Sequence, residues 1–182
     1  MGPAGPPRSG PRVVAIFTAA SSATAIVGRT SEATVQPDIA FRPALEADLP
    51  AILRLLAQLS PGEPPMPVER AREVFTRMAR NPGLTVWVGE IGGKVMATYT
   101  MQVMDNLGHN GTPAAIVESV VVDAELRGQG LGAVMMRHAG TQAAAAGCYK
   151  VALSSNRKRP DAHRFYQRIG FKPHGISFAI AV

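Results

Sequence analysis

The chain has a single cysteine, Cys148. One thiol excludes an intrachain disulfide framework and any multi-cysteine metal site. It fits reducing surroundings and predicts a cytoplasmic protein. Aromatic residues are scarce, at 5%. Charged residues, at 18%, fall below the roughly 25% of an average globular chain. A core must therefore rest on Val, Leu, Ile, Met and Ala. No apolar run approaches the roughly 20 residues of a membrane-spanning helix. The nearest candidate, 13–27, is interrupted by Thr18, Ser21, Ser22 and Thr24. What is present is 46% apolar content in 182 residues. That suffices for one domain with chain to spare, and it excludes disorder along the whole length.

Charge is distributed unevenly. Lysine and arginine number 19 against 13 acids, a net charge of +6. Residues 1–149 balance. The excess lies in 150–172, where Lys150, Arg157, Lys158, Arg159, Arg164, Arg168 and Lys172 face Asp161 alone. Such a segment is either a solvated face or a partner for phosphate, an acidic small molecule, a membrane surface or nucleic acid. Aromatic residues are not interleaved with these charges as base stacking would need, which argues against nucleic acid.

Two parts of the chain differ in texture. Residues 1–37 begin Gly/Pro-rich and read as a flexible N-terminal extension. Arg8 and Arg12 ahead of the mildly apolar stretch also fit a weak signal- or transit-peptide pattern. Residues 38–182 read as the folded domain. A short strand at 39–42 is followed by Asp48 as N-cap and by Leu49, Ile52, Leu53 and Leu56 at helical spacing. A proline-rich loop at 60–67 leads to a charged helix at 68–80. Alternation marks strands at 84–90 and 95–104, joined through Gly92 and Gly93. The stretch 114–122 is apolar except for Glu118 and Ser119, as in a strand buried on both faces. Helices follow at 130–146 and 161–169, with a strand at 149–155 between them and one or two strands within 171–182. The fold class is α/β: a mixed sheet of six to seven strands flanked by about four helices.

The strongest chemical signal is Arg127-Gly128-Gln129-Gly130-Leu131-Gly132, between the buried strand and a helix. Glycines let the backbone turn tightly with its N–H groups outward. The helix start adds unpaired N–H groups and a positive dipole end. Together they suit a pyrophosphate, with Arg127 beside it. No Gly-Lys-Ser/Thr follows, so the nucleotide-binding P-loop is excluded. A dinucleotide-binding fingerprint also fits poorly: the unit comes late, follows a hairpin and lacks the acidic residue about 20 positions on. The second signal is Phe165-Tyr166 followed by Gly170-Phe171.

Together, Val120-Val121-Val122-Asp123 with Arg127-x-x-Gly130-x-Gly132, and Phe165-Tyr166-x-x-x-Gly170-Phe171, resemble the two signatures of the GNAT N-acetyltransferases. The resemblance covers about 39–182. The stretch 153–166 is most similar to a bacterial branch that includes aminoalkylphosphonate acetyltransferases. Gly147-Cys148-Tyr149-Lys150 is similar to glucosamine-6-phosphate acetyltransferases. Asn156 precedes Tyr166 by ten residues, further than in many relatives, and the added residues are basic.

The resemblance implies direct transfer of an acetyl group from acetyl-CoA to a primary amine of a small molecule. The diphosphate is expected on the amides of Gly128, Gln129, Gly130, Leu131 and Gly132, with Arg127 beside it. The pantetheine arm is expected along Val120, Val121 and Val122, with Asn156 also on the cofactor side. A backbone N–H near Val121 would stabilise the oxyanion. Tyr166 would protonate the departing thiolate. Glu118 is the base, with burial expected to raise its pKa; a structural carboxylate at a strand bulge is the other reading. Asp123 is expected to cap the following loop, His138 to be a satisfied core residue, and Cys148 a buried inert thiol. His109 would be either a loop residue or part of an acceptor pocket. No metal is implied. The acceptor is small, and the basic segment suits an acidic or phosphorylated one. No nucleic acid or membrane partner is implied, and a homodimer is common among such enzymes. Two alternatives stay open: a protein or peptide N-acetyltransferase, and a non-catalytic acetyl-CoA sensor.

Overall fold

The computed structural model describes residues 38–180. The expected extension, 1–37, lies outside the described residues. Five strands form one sheet in the order β1 (Ala40–Pro43), β2 (Leu84–Ile91), β3 (Lys94–Met104), β4 (Ala114–Val122) and β5 (Val151–Ala152). Four helices accompany it: α1 (Leu49–Leu59), α2 (Val68–Met78), α3 (Leu131–Ala145) and α4 (Pro160–Arg168). No described helix is long and apolar enough to cross a membrane.

The strands from β1 to β4 pair antiparallel, and β4 pairs with β5 in parallel. The α3 crossover joins this parallel pair. The core has two faces. Ala97, Tyr99, Met101, Ala115 and Val117 pack with Met135, Met136 and Ala139 of α3. Val88, Val95 and Val121 pack with Ile52 and Leu55 of α1. Each such aliphatic side chain contributes about 1.5–3 kcal/mol on full burial. The two helices are thus held to opposite faces by packing.

The sheet is smaller than the six to seven strands expected. The strand read at 149–155 is reduced to Val151–Ala152, and 171–180 forms no strand. Those segments have alternating apolar residues, but a ladder also needs a neighbouring edge. Beyond Ala152 the chain diverges from β4, and Ser154 and Ser177 meet only through their hydroxyls, 2.9 Å apart. Asp48 also departs from expectation. It stands at the start of α1, but its carboxylate does not cap that helix. It accepts from Arg42 Nη1 at 2.6 Å and from Leu45 N–H at 2.7 Å. The Arg42 guanidinium holds its carboxyl below the usual range.

Candidate active site

The site begins with a fault in β4. Thr98 opposes Val121 and Thr100 opposes Glu118, so Tyr99 alone faces two residues, Ser119 and Val120. This is a β-bulge. Ser119 takes a φ of 54°, a conformation unfavourable for a residue with a Cβ. The extra residue inverts the strand. Before it, Ala115 and Val117 face α3; after it, Val120 and Val122 do, while Val121 turns to α1.

The other edge of β4 is open. Only Ala115 and Ile116 pair with β5, so the strands part beyond them. The pairing with β3 sets where each N–H along this stretch points. Asp123 N–H donates to Met96 O at 2.8 Å. By strand alternation Val121, two residues earlier and opposite Thr98, also points its N–H at β3. Val122 and Val120 turn theirs to the open edge.

The chain then passes through a 3-10 turn (Ala124–Leu126) into Arg127–Gly130. Asp123 caps the turn as expected, accepting from Glu125 N–H at 3.2 Å. Gly128 and Gly130 have φ of 81° and 82°, where only glycine is unstrained. Arg127 N–H bonds Ala124 O, and Ala133 N–H bonds Gly130 O at 2.9 Å. Among the described residues, no backbone acceptor takes up the N–H groups of 128–132 between them. Five consecutive donors at a helix N-terminus are suited to a diphosphate. Arg127 stands beside them: its Nε donates to Val122 O at 3.1 Å and its Nη2 to Gln58 Oε1 at 3.2 Å, both neutral acceptors that leave its charge in place. Gly132 has a packing role. A Cβ there would stand 3.0 Å from Phe165 Cζ, so glycine lets α4 approach α3.

That approach sets Tyr166. Its ring lies edge-on to Phe165 at 5.1 Å and to Phe171 at 5.7 Å. Burial pushes its hydroxyl pKa up, the Arg159 charge lowers it, and the Glu118 charge raises it. Tyr166 therefore holds its proton at neutral pH, as a general acid must. Glu118 is near enough for its charge to act on Tyr166, while alternation from Val117, which packs on the α3 side, turns its side chain to the other face of β4. The burial expected of Glu118 is absent: its side chain is exposed, because it sits at the bulge beside the parted strands. Tyr166 lines a cavity of about 520 Å3 with Ile116, Leu153, His163, Lys172 and His174. No carboxylate lines it.

Other expected residues make local contacts of their own. The Asn156 side chain accepts from Lys158 N–H at 2.9 Å, and its carbonyl meets His163 Nε2 at 3.0 Å; in this structure it shapes the basic turn before α4. His109 is exposed and stacks on Tyr149 at 4.2 Å, lining neither Tyr166 nor its cavity. His138 is the satisfied core residue expected, 2.8 Å from Tyr99 Oη. Cys148 is half-buried, and burial together with Asp105 pushes its thiol pKa up. Among the described residues no three His, Cys, Asp or Glu side chains converge as a metal site would require.

Sequence reasoning missed two residues, Arg54 and Gln58. Arg54 pairs with the buried Asp123 and holds its carboxyl below the usual range. Arg54 Nη2 also donates to Val95 O at 3.1 Å. Gln58 Oε1 accepts from Ala124 N–H at 2.9 Å. The available signal was a polar i, i+4 pair on one side of an otherwise apolar helix.

A parted parallel strand pair, a bulged central strand and a turn of unpaired amides offer a ligand an open strand edge and a cluster of anion donors. The chain belongs to the acetyltransferase (GNAT) family, whose model matches residues 49–171. It is therefore an N-acetyltransferase dependent on acyl-CoA. It is 30% identical over 139 residues to the glucosamine 6-phosphate N-acetyltransferase of Trypanosoma brucei brucei, covering 75% of this chain and 91% of that protein. It is 29% identical over 148 residues to the aminoalkylphosphonate N-acetyltransferase of Salmonella typhimurium, covering 81% and 94%. A putative acetyltransferase structure from Agrobacterium tumefaciens superposes with a TM-score of 0.75 at 38% identity, covering 79% of this chain and 99% of that one.

Proposed function

We propose that the protein moves the acetyl group of acetyl-CoA directly to the amine of a small molecule that also carries a phosphate or phosphonate. What supports the reaction is an open β4 edge at Val120–Val122, five amides of 128–132 with no backbone acceptor, and a protonated Tyr166 packed on the same cluster as Val120 and Val122. The amides of 128–132 receive the diphosphate. The edge of Val120–Val122 pairs with the pantetheine arm as an added strand would. An N–H on that edge, from Val120 or Val122, donates to the carbonyl oxygen as negative charge develops there; such donors are worth about 2.7–4 kcal/mol. Glu118, directly or through water, takes the proton that the attacking amine must lose. The carbon–nitrogen bond forms, the carbon–sulfur bond breaks, and Tyr166 gives its proton to the leaving sulfur.

The cavity shared with Tyr166 supports the acceptor class. His163, Lys172 and His174 supply its ionisable lining besides Tyr166 itself. A phosphate or phosphonate is stabilised there, and a second cation is not. The names of the two relatives describe amines bearing such a group. Turnover of acetyl-CoA should be measured with aminoalkylphosphonates, amino sugar phosphates, their unphosphorylated counterparts, polyamines and peptides. Higher kcat/KM for the phosphorus-bearing amines is expected. Preference for polyamines or peptides would reject this acceptor.

We infer also that the protein acts as a homodimer. Ile176, Phe178 and Ile180 alternate along the chain and are 81%, 91% and 88% exposed. They follow a segment beside β5, whose outer edge has no strand partner among the described residues. The same apolar segment from two copies can meet across a two-fold axis. Light scattering should give a dimer for the full chain and a monomer for Phe178→Glu. A wild-type monomer at micromolar concentration would refute the inference.

A further inference from the structure

The base of the amide turn is fastened by a side chain that belongs to neither signature. Gln58, on α1, uses both ends of its carboxamide. Its oxygen accepts from Ala124 N–H at 2.9 Å and from Arg127 Nη2 at 3.2 Å. Its nitrogen reaches the Asp123 carboxylate at 3.5 Å. Asp123, 3% exposed, is held from the same helix by Arg54. Arg127 in turn donates to Val122 O at 3.1 Å. The end of β4, the 3-10 turn and the first residue of the glycine turn are thus tied to one point of α1.

The chemistry of position 58 is specific. The oxygen side must accept two donors, and the nitrogen side must donate toward a carboxylate. A glutamate lacks the donor and adds a second negative charge beside Asp123. Methionine has similar length, no donor and only a weak acceptor. The turn itself has few restraints. Gly128 and Gly130 adopt left-handed conformations, and the N–H groups of 128–132 have no backbone acceptor to fix their direction. Donors aimed at an anion lose affinity when their frame moves, because orientation fixed before binding is not charged against binding.

We propose that Gln58 is a positioning residue for the diphosphate-binding turn: its carboxamide, joining Asp123, Ala124 and Arg127, holds the amides of 128–132 in their receiving orientation. It sets donor affinity and leaves the chemical step alone. The inference rests on reading that turn as the diphosphate site.

Two donors with the same thioester separate the claims: acetyl-CoA, and S-acetylpantetheine, which has no diphosphate. Gln58→Met should lower kcat/KM for acetyl-CoA about tenfold, the scale of one lost hydrogen bond to a charged partner. The kcat at saturating acetyl-CoA should stay at the wild-type value. For S-acetylpantetheine, kcat/KM should also be unchanged. Equal losses with both donors, or none with either, would overturn the positioning role while leaving the turn as the diphosphate site. A wild-type enzyme that uses both donors equally well would instead overturn the diphosphate reading, and this inference with it.

Discussion

The sheet is built in two ways. Between β2 and β3 eight positions pair, with one register shift between Gly89 and Glu90, whereas between β4 and β5 only two do. The antiparallel part buries Val88, Ala97 and Tyr99 completely. The parallel edge leaves Leu153 and Tyr166 half-buried and a cavity beside them. Ladder bonds and dense packing satisfy the backbone in the first part. In the second, unpaired strand edges and amides remain available to a ligand. Stability and reactivity are therefore lodged in different strands, and β4 belongs to both, its bulge marking the passage. Substitutions on the open side should change kinetics at nearly constant melting temperature, and those on the laddered side should do the reverse.

The hardest test of that division is Tyr166→Phe. It removes one hydroxyl and keeps the ring that packs on Phe165 and Phe171. The kcat should fall about a hundredfold, the lower range for loss of a general acid. The KM for acetyl-CoA and the melting temperature should hold. A normal rate would show that the leaving sulfur needs no proton from this residue. Gly130→Val should act on affinity instead. A β-branched residue at a φ of 82° carries about 1–3 kcal/mol of strain, so the turn should rearrange. The KM for acetyl-CoA should rise at least about tenfold, which titration calorimetry can confirm as lost binding. Unchanged affinity would remove the turn from the site. Glu118→Gln should be milder. Glu118 is exposed, and water can replace part of its work, so a fall in kcat smaller than that of Tyr166→Phe is expected. An unchanged rate would leave Glu118 as a structural carboxylate at the bulge.

The same division governs what the sequence could convey. Gly128 and Gly130 are legible because the turn's backbone demands them locally. Tyr166 is legible through its short spacing to Gly170 and Phe171. The interruption of β4 by Glu118 and Ser119 marks the bulge, although not the inversion of faces that follows it. Gln58 was missed because its partners lie 65 to 69 residues away, and no local period encodes such a meeting. Which N–H groups near Val121 face the open edge was not legible, because strand register is a property of the pair. Ile176, Phe178 and Ile180 alternate as a strand does, yet no neighbouring strand edge pairs with them among the described residues. Apolar alternation specifies a strand's face and leaves its partner unstated.

The smallest effect should come from the laddered side, and it should depend on pH. His138 sits on α3 among Phe41, Trp87 and Tyr99. Its ring stacks on Phe41 at 4.6 Å and meets Trp87 edge-on at 4.8 Å. Its nitrogens face Tyr99 Oη and the Gln142 amide, with no carboxylate among these partners. Burial lowers its pKa from the ordinary 6.5. In the window between the two values the unfolded chain binds a proton that the folded chain does not, so stability falls as pH falls. The neutral-imidazole contribution is complete above about pH 7 and is lost toward pH 5. Asp48 and Asp123, also held low, lose their contribution only below about pH 4, outside that window. Wild type should therefore melt several degrees lower at pH 5 than at pH 7, and His138→Gln should show a smaller difference. Fluorescence of Trp87, the one tryptophan in the chain, should change in the same interval because the imidazole lies against it. Parallel melting curves for the two proteins would show that the laddered half accepts the charge without cost, and that its packing is looser than its burial implies.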